Sequence, residues 1–484
     1  PWLRPFVPDF KMTEEMTMII RQHSNTRLLL SLVATIAMYF ATGAAHAEKS
    51  GKSAHENPMQ NYGERHPRAT TPRGLDIAEL KRRRNMVRDY LTRQRAQLDI
   101  VTTTVTDSGQ VIDWIRPESQ IASGNLASPP PQPERPHMPD VEHDNVIPSV
   151  GELARQQHAR GPAGTVPVVR RDIDEVINAM MPPEHLQDFL SKSGNTQNPA
   201  NVNSIPNPGD SAHIYAHTSQ YIDNLGADGL INVWNPYVQP VSEEIAYWGE
   251  FSLGQVAVVN ENGTADEKET IEAGWQDFPA FYGDNYPHLF IYYTTNGYTE
   301  KGDNLGGYNR DVKGWVQYSR TTFPGMRLTS TSTYDGTQAE LRIIVKYYYG
   351  NWWLYANNEW IGYYPGSLFR SDGLRSEANK VSWYGEVVDA DDGYATYTDM
   401  GSGSHAAAGF RKAAYMRNLK YFEVNRGLAR DYKGTPFVSD SQCYSLSTWH
   451  VSGSSWGSYH FWGGPGRINR YSTGCGGFTF VRRY

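Results

Sequence analysis

The stretch ELRIIVKYYYGNWWLYA, residues 340–356, contains two runs in which apolar and polar residues alternate, Glu340–Tyr347 and Trp352–Ala356. A turn at Gly350 and Asn351 separates them. Alternation with a period of two is typical of strands with one buried face, and β-branched and aromatic residues favour strands. The stretch therefore predicts two strands joined by a turn.

Similar runs recur through the second half of the chain and are separated by Gly, Asn and Asp turns. They are Gly229–Trp234, Gln255–Val259, His288–Thr294 and Gly314–Tyr318. A helical period never persists beyond a couple of turns, and no repeat of fixed period indicates a propeller. Many short strands at such spacing predict an all-β fold, an antiparallel β-sandwich or barrel, of which we expect the sandwich.

Composition divides the chain of 484 residues into two parts. After residue 200 lie 28 of the 31 tyrosines and 11 of the 13 tryptophans, whereas Pro-rich and charged stretches crowd the first part. The formal net charge is -7, and the Lys and Arg of the helix predicted over Asp76–Ile100 are read as its solvated face, with RNA or lipid binding as the alternative. Because nucleic acids and anionic membranes are bound by clustered Lys and Arg, we expect neither as a partner.

The N-terminal part begins with a targeting signal. Residues 28–45, LLLSLVATIAMYFATGAA, carry no charge, follow Arg21 and Arg27, and precede Ala45-His46-Ala47. This arrangement is typical of a secretory signal peptide cleaved after Ala47, and the alternative is a single membrane anchor. We predict export, to the periplasm or the medium, with no membrane attachment after cleavage.

The rest of the first part predicts short elements and linkers. Residues 48–75 are polar and are expected to be disordered. An amphipathic helix is predicted over Asp76–Ile100, and a hairpin over Val101–Arg116 with its turn at Ser108 and Gly109. The predicted domains are a signal peptide with an upstream extension (1–47), a linker (48–75), a mixed α+β region (76–191), a second linker (192–210) and the β-domain (205–484).

The predicted export bears on whether the two cysteines form a disulfide. Cys443 and Cys475 form an even pair in an oxidising compartment, which favours a disulfide over two free thiols. Two cysteines alone cannot supply the four ligands of a structural zinc site.

Familiar catalytic motifs are absent from the sequence, including the nucleophile elbow, the Walker A loop and H-E-x-x-H. His213 and His217 are spaced for a metal site on a helix, but their surroundings predict a strand. We therefore expect no metal and no other cofactor.

Two glutamates lie within aromatic, Gly-containing predicted strands. Glu272 belongs to IEAGWQ, residues 271–276, where alternation also places Gly274 and Gln276 on its face of the strand. Glu386 belongs to WYGEVV, residues 383–388. From these patterns alone, a solvent-facing carboxylate is the preferred reading and a functional one the alternative.

At these segments the sequence resembles the neprosin family of glutamic peptidases. Further similar blocks occur in the family's order; they are INVWNPYVQP (231–240), FSLGQVAV (251–258), IEAGWQDFPAFYGDN (271–285), HLFIYYTTNGY (288–298), NWWLYANNEWIGYYPGSLF (351–369), TDMGSGSH (398–405) and GFRKAAYMRNL (409–419). The resemblance covers about residues 205–484. Upstream, TDSGQVIDWI (106–115) and GTVPVVRR (164–171) are similar to the family's activation propeptide.

The resemblance implies that Glu272 and Glu386 form the catalytic pair. Tyr384 stands where the family usually has glycine, which narrows the expected cleft. Lys301–Asn309 lacks both cysteines of the corresponding plant segment, so a bacterial-type member is expected. The family relationship further implies a proenzyme, with cleavage at proline as a candidate preference.

Two neighbouring carboxylates predict a mechanism with water as the nucleophile. Like charges raise the pKa of one carboxyl, so at acid pH one member takes a proton from water while the other donates one. Gln276 is either an oxyanion donor or a cross-strand hydrogen-bond partner.

Several aromatic residues either line the substrate groove or belong to the core of a sandwich. They are Trp275, Tyr282, Tyr364, Trp383 and Tyr384. Asp284 and Ser402 either orient the cleft or form turns.

We therefore predict a secreted glutamic endopeptidase that acts on peptides or proteins and is a monomer. The alternative is a noncatalytic carbohydrate- or wall-binding β-sandwich, since aromatic-lined sheets often stack on sugar rings.

Overall fold

The computed structural model describes residues 85, 88–89, 92–122, 124–134, 146–170, 204–206, 212–239, 249–389, 396–452, 456–467 and 475–476. Contacts divide the chain into the units Pro1–Glu64 and Arg65–Tyr484, and every described residue belongs to the second. The predicted signal peptide, the linker over 48–75 and most of the second linker lie outside these residues.

The first sheet along the chain is small and has three strands. Its strands are β1 (Ile100–Val105), β2 (Val111–Ile115) and β4 (Val166–Arg170), all antiparallel in the order β1-β2-β4. This confirms the hairpin predicted over 101–116. Residues 92–96 are helical, but residues 97–100 are not, because Ile100 already pairs with Ile115.

The remaining strands form the β-domain. They are β3 (Val146–Pro148), β5 (Ser204–Pro206), β6 (Ala212–Asn232), β7 (Ser252–Asn260), β8 (Glu269–Asp277), β9 (Pro287–Thr294), β10 (Glu300–Gly302), β11 (Gly306–Tyr308), β12 (Val316–Gln317), β13 (Gln338–Tyr348), β14 (Asn351–Ala356), β15 (Glu359–Pro365), β16 (Ala378–Asp389), β17 (Ala414–Glu423), β18 (Ala429–Asp431), β19 (Thr435–Val438), β20 (Ser445–Leu446), β21 (His450–Val451) and β22 (Ser458–Gly463).

Helices with defined bounds are few and short. One α-helix covers Pro279–Tyr282, and 3-10 turns cover Pro117–Gln120, Glu152–Ala154, Gln157–Ala159, Ala265–Glu267, Gly366–Leu368 and Ala406–Ala408. The all-β prediction is confirmed, since nearly all pairings in the described chain are antiparallel.

Strand β6 belongs to two layers. Its first half pairs with β16 and β19, and the first layer continues through β7, β8, β9, β11 and β10. Its second half pairs with β13 and β17, and the second layer continues from β13 through β14, β15 and β12. The apolar core contains residues of both layers, including Val256 and Ile271 from the first and Ile343 and Leu354 from the second.

A bulge lies where β6 passes between the layers. Opposite Ala378 and Lys380, two residues apart, β6 presents Asn224 and Tyr221, three residues apart. The extra residue reverses which side chains point inward, because sides alternate along a strand. Even-numbered Ala216 and Thr218 are fully buried before the bulge, and odd-numbered Ala227 and Ile231 are fully buried after it.

Gly226 allows β6 to bend just after this bulge. Its φ is +118°, a region that L side chains rarely adopt, and a Cβ there would collide with the backbone carbonyl of Val345. The Gly226 N–H donates to Asn224 Oδ1 at 2.9 Å, which fixes the bend from within.

The N-terminal segment, which we define as residues 98–170, packs on the β-domain. Strand β3 adds in parallel to β13, and Trp114 shares a fully buried cluster with Phe323 and Met326. Gln110 donates to the Gly325 carbonyl at 2.9 Å. The segment is therefore part of the same folded body.

Candidate active site

Five adjacent strands, in the order β6-β16-β7-β8-β9, present one polar face. Register places Glu272 of β8 opposite Ala257 of β7, and Glu386 of β16 opposite Leu253 of β7. Since Leu253 and Ala257 lie on the same face of β7, both glutamates do as well. The structure therefore brings the two predicted catalytic residues to one surface, on either side of β7.

Three side chains donate hydrogen bonds to Glu272. Tyr298 donates to Oε1 at 2.6 Å and Thr270 to the same oxygen at 2.8 Å. Gln255, from the strand between the glutamates, donates to Oε2 at 3.2 Å. These three donors fix the position of the Glu272 carboxyl.

Glu386 has a different environment. It is 5% exposed, and its Oε1 contacts Nδ1 of His213 on β6. Burial raises the pKa of the Glu386 carboxyl; His213 lowers it, and the charge of Glu272 raises it further. Glu386 therefore favours the protonated form more than an exposed glutamate does, chiefly because it is removed from water.

The two carboxyls interact across β7 rather than as a hydrogen-bonded dyad. Their partners Leu253 and Ala257 are four residues apart on β7, and β16 and β8 flank that strand. In a flat sheet, the α-carbons of Glu272 and Glu386 would therefore be offset by four residues along the strands and by two strands across the sheet. The diagonal between them is about 16 Å. The charge of Glu272 raises the pKa of the Glu386 carboxyl, but burial of Glu386 raises it more.

Gln276 lies on the same face of β8 as Glu272, four residues further along the strand and opposite Leu253. Tyr282 donates to its Oε1 at 3.5 Å, and Asn309 donates to the Tyr282 hydroxyl at 3.3 Å. Within the described residues, the buried Nε2 has no hydrogen bond of good geometry. Burial and the charge of Glu386 raise the pKa of Tyr308, and the Gln276 amide lowers it.

The aromatic residues divide between the two faces. Tyr384 lies on the site face, half-buried, and Tyr282 stacks on His288 with ring centroids 4.0 Å apart. Trp275, Trp383 and Tyr364 are 0% exposed and belong to the core. They do not line the cleft, because alternation sends residues 275 and 383 to the side opposite Glu272 and Glu386.

The glycine of each glutamate motif has a packing reason. A Cβ at Gly385 would overlap the indole of Trp462, and one at Gly274 would overlap the Gly254 carbonyl. Trp462 in turn stacks on Trp275, whose indole donates to the Asn232 carbonyl at 3.0 Å. The motifs thus combine a functional face with a tightly packed one.

The remaining predicted residues have local roles. Asp284 accepts from the Tyr286 N–H at 3.2 Å and lies 3.0 Å from Nε2 of His288. Ser402 accepts from the Ser404 N–H at 3.1 Å, as in a turn. His217 lies on β6 as expected, beside Ser219 Oγ at 3.1 Å. Among the described residues, no three His, Cys, Asp or Glu side chains are grouped to hold a metal.

A disulfide joins Cys443 and Cys475, as predicted. Over the described part of the chain, no helix is long and apolar enough to cross a membrane.

A cavity of about 60 Å³ lies between the N-terminal segment and the β-domain. Its walls include Val168 and Val169 of β4 and, across from them, Tyr282 and Asn309. Since Tyr282 contacts Gln276, the N-terminal segment lies at one end of the site.

Sequence reasoning missed the partners of both glutamates. Tyr298, Thr270 and Gln255 around Glu272 carry no motif, although Thr270 falls on its face in simple strand alternation. His213 was singled out only for its spacing from His217. Its contact with Glu386 comes from the antiparallel register of β6 and β16, in which Val388 faces His213.

A β-sandwich with two buried carboxyls on one polar face, one accepting three hydrogen bonds and one with a raised pKa, has the groups needed for acid–base hydrolysis. The Neprosin family model matches residues 248–465, which include both glutamates, and this match supports assignment to that family and a peptidase-like function.

Among solved structures, "CG-16, a homodimeric agglutinin from chicken liver" is similar over 37% of this chain and 96% of its own, with 7% identity and a TM-score of 0.19. At that score the likeness supports no conclusion about fold or function.

Proposed function

We propose that the protein is a glutamic endopeptidase that hydrolyses peptide bonds at acid pH. One observation carries the proposal: two glutamates of the matched segment lie on one face with opposite environments. Glu272 accepts three hydrogen bonds, whereas Glu386 is buried with a raised pKa. Such a difference between two carboxyls is the usual way to separate a base from an acid.

The environments assign the roles. Ionised Glu272 takes a proton from a water molecule as its oxygen attacks the peptide carbonyl carbon. Protonated Glu386 then gives its proton to the departing amine nitrogen, so that the carbon–nitrogen bond breaks and an acid and an amine result. Gln276 Nε2 donates to the carbonyl oxygen while it carries negative charge. Before the next turnover Glu272 releases to solvent the proton that it took from water, and the Glu386 carboxylate takes one up.

The substrate is a peptide or protein chain laid across β7, between the two glutamates. Half-buried Tyr384 and Tyr282 offer flat aromatic faces beside the pair. Aromatic faces suit proline rings, so we propose cleavage next to proline.

We also propose that the protein is exported and made as a proenzyme. The disulfide suits an oxidising compartment. The N-terminal segment lies against Tyr282 and Asn309 at one end of the site, where it restricts access of a substrate.

The proposal is tested with the wild type, Glu272→Gln and Glu386→Gln, assayed on a denatured, proline-containing protein from about pH 2 to 7. Glu423→Gln is the matched control, since Glu423 pairs with Arg430 on the second layer. We expect both site variants to lose at least about a thousandfold in kcat/KM and the control to lose none. Mass spectrometry of the products identifies the cleaved bonds.

Full activity in either folded site variant would disprove the two-glutamate mechanism. Saturable binding of a polysaccharide without any peptide cleavage would instead support a carbohydrate-binding protein.

A further inference from the structure

His213 connects the buried acid to the surface. It occupies the second position of β6, and its Nδ1 contacts Oε1 of Glu386. Its side chain is 39% exposed, whereas that of Glu386 is 7% exposed. The imidazole also lies against Phe251, with ring centroids 6.0 Å apart, and against Tyr215 at 6.1 Å. These rings hold its orientation.

Few charges besides His213 act on Glu386. Among the described residues, the titratable groups that interact with it are His213, Glu272, Tyr308 and Tyr384. Burial raises the pKa of both phenols well above the acid range, so Tyr308 and Tyr384 stay neutral. His213 and Glu272 are therefore the charged groups that act on Glu386 within the described part of the chain.

We propose that His213 is a positioning residue for Glu386: it fixes the orientation of the carboxyl and, when protonated, sets the pH range over which that carboxyl holds its proton. This inference deepens the proposed function and rests on it for its catalytic consequence. The segment that matches the family model begins at residue 248, so it does not include His213.

Two separate effects follow. The hydrogen bond from Nδ1 holds Oε1, so its loss allows the carboxyl to rotate away from the leaving nitrogen and lowers kcat. The positive charge of protonated His213 favours the ionised form of the Glu386 carboxyl. Without that charge, Glu386 stays protonated up to a higher pH. A histidine that only packed against Phe251 would produce neither effect.

Two variants separate the effects. Asparagine places an amide N–H close to the position of Nδ1 but carries no charge, whereas alanine removes both. We expect His213→Ala to lower kcat about tenfold and to move the alkaline limb of the kcat profile upward by about one pH unit. We expect His213→Asn to restore kcat to within about threefold while keeping the shifted limb.

The matched control is His405→Asn. His405 is exposed, and its Nδ1 lies 3.3 Å from Ser445 Oγ, so this exchange changes the same atoms away from either glutamate. Its pH profile and kcat should equal those of the wild type. Wild-type profiles for both His213 variants would overturn the inference.

A direct titration tests the inference even if the protein cleaves no peptide. In the full chain labelled with carbon-13 at glutamate carboxyls, the Glu386 resonance is identified by its absence from Glu386→Gln. We expect its titration midpoint to lie about one pH unit higher in both His213 variants than in the wild type. Equal midpoints in all three proteins would refute the role of His213. A failure of the proposed function alone would show as absent cleavage with the shifted midpoints still present.

Discussion

The hydroxyl of Tyr298 donates to Oε1 of Glu272 at 2.6 Å, which links the loop after β9 to the polar face of β8. Tyr298 has a φ of +69°, an unusual conformation for a residue with a large side chain. Burial and the charge of Glu272 raise the Tyr298 pKa, so the phenol keeps its proton and remains a donor.

Tyr298→Phe should therefore lower kcat/KM about tenfold, because a hydrogen bond to a charged group contributes about 1.5 to 3 kcal/mol. Steady-state kinetics near the acid optimum measure the effect. Tyr349→Phe is the control, since Tyr349 is 84% exposed. Unchanged kinetics in Tyr298→Phe would show that Thr270 and Gln255 suffice to hold Glu272.

Glu386→Gln should be more stable than the wild type at pH 7. A group with a raised folded-state pKa contributes stability that is present below its unfolded value of 4.5 and is lost as the pH rises through the folded value. The advantage of glutamine should thus be absent at pH 3 and grow above pH 4.5. Thermal unfolding at both pH values measures it; an equal difference at the two would contradict the assigned pKa direction.

His460 predicts the opposite pH dependence. It is 0% exposed, and burial lowers its pKa to about 3, so stability is full above 6.5 and declines as the pH falls toward 3. His460→Leu should gain stability relative to the wild type by up to about 1.4 kcal/mol per pH unit over that range. Denaturant unfolding at pH 7, 5 and 3.5 measures the slope. A constant difference would show that His460 keeps the same protonation on unfolding.

Trp114→Ala should weaken the attachment of the N-terminal segment. Trp114 is fully buried with Phe323 and Met326, and Gly161 packs so closely on its ring that no side chain fits there. Loss of a buried tryptophan costs about 3 to 5 kcal/mol. Limited proteolysis should cut the segment sooner than in the wild type, while Val105→Ala, at an exposed position of β1, should leave the rate unchanged.

The sequence patterns predicted the strands well because alternation reflects burial of one face. The runs at 255–259 and 352–356 fall within β7 and β14. The predicted helix over 76–100 extended too far, because Ile100 and the threonines after it favour the strand that pairs with β2. Alternation with the glutamates also puts Trp275 and Trp383 on the opposite face, although both were left open above as residues of the groove or of the core.

Other features of the site depend on pairing between distant segments. His213 and Glu386 are 173 residues apart, and neither local propensity nor charge specifies which strands become neighbours. The same is true of Gln255 and Glu272, which meet through the register of β7 and β8. The family resemblance supplied the identity of the two glutamates but not the groups that distinguish them.

The bulge in β6 lets even-numbered residues before it and odd-numbered residues after it face the core. If all residues of Ala212–Asn232 alternated without the bulge, Ala227 and Ile231 would share a face with His213 and Tyr215. The chain could then keep Ala227 and Ile231 inside only by turning His213 and Tyr215 into the core, or keep His213 beside Glu386 only by exposing Ile231. One residue at the crossing between layers thus allows a single strand to serve both the interior of the protein and its chemistry.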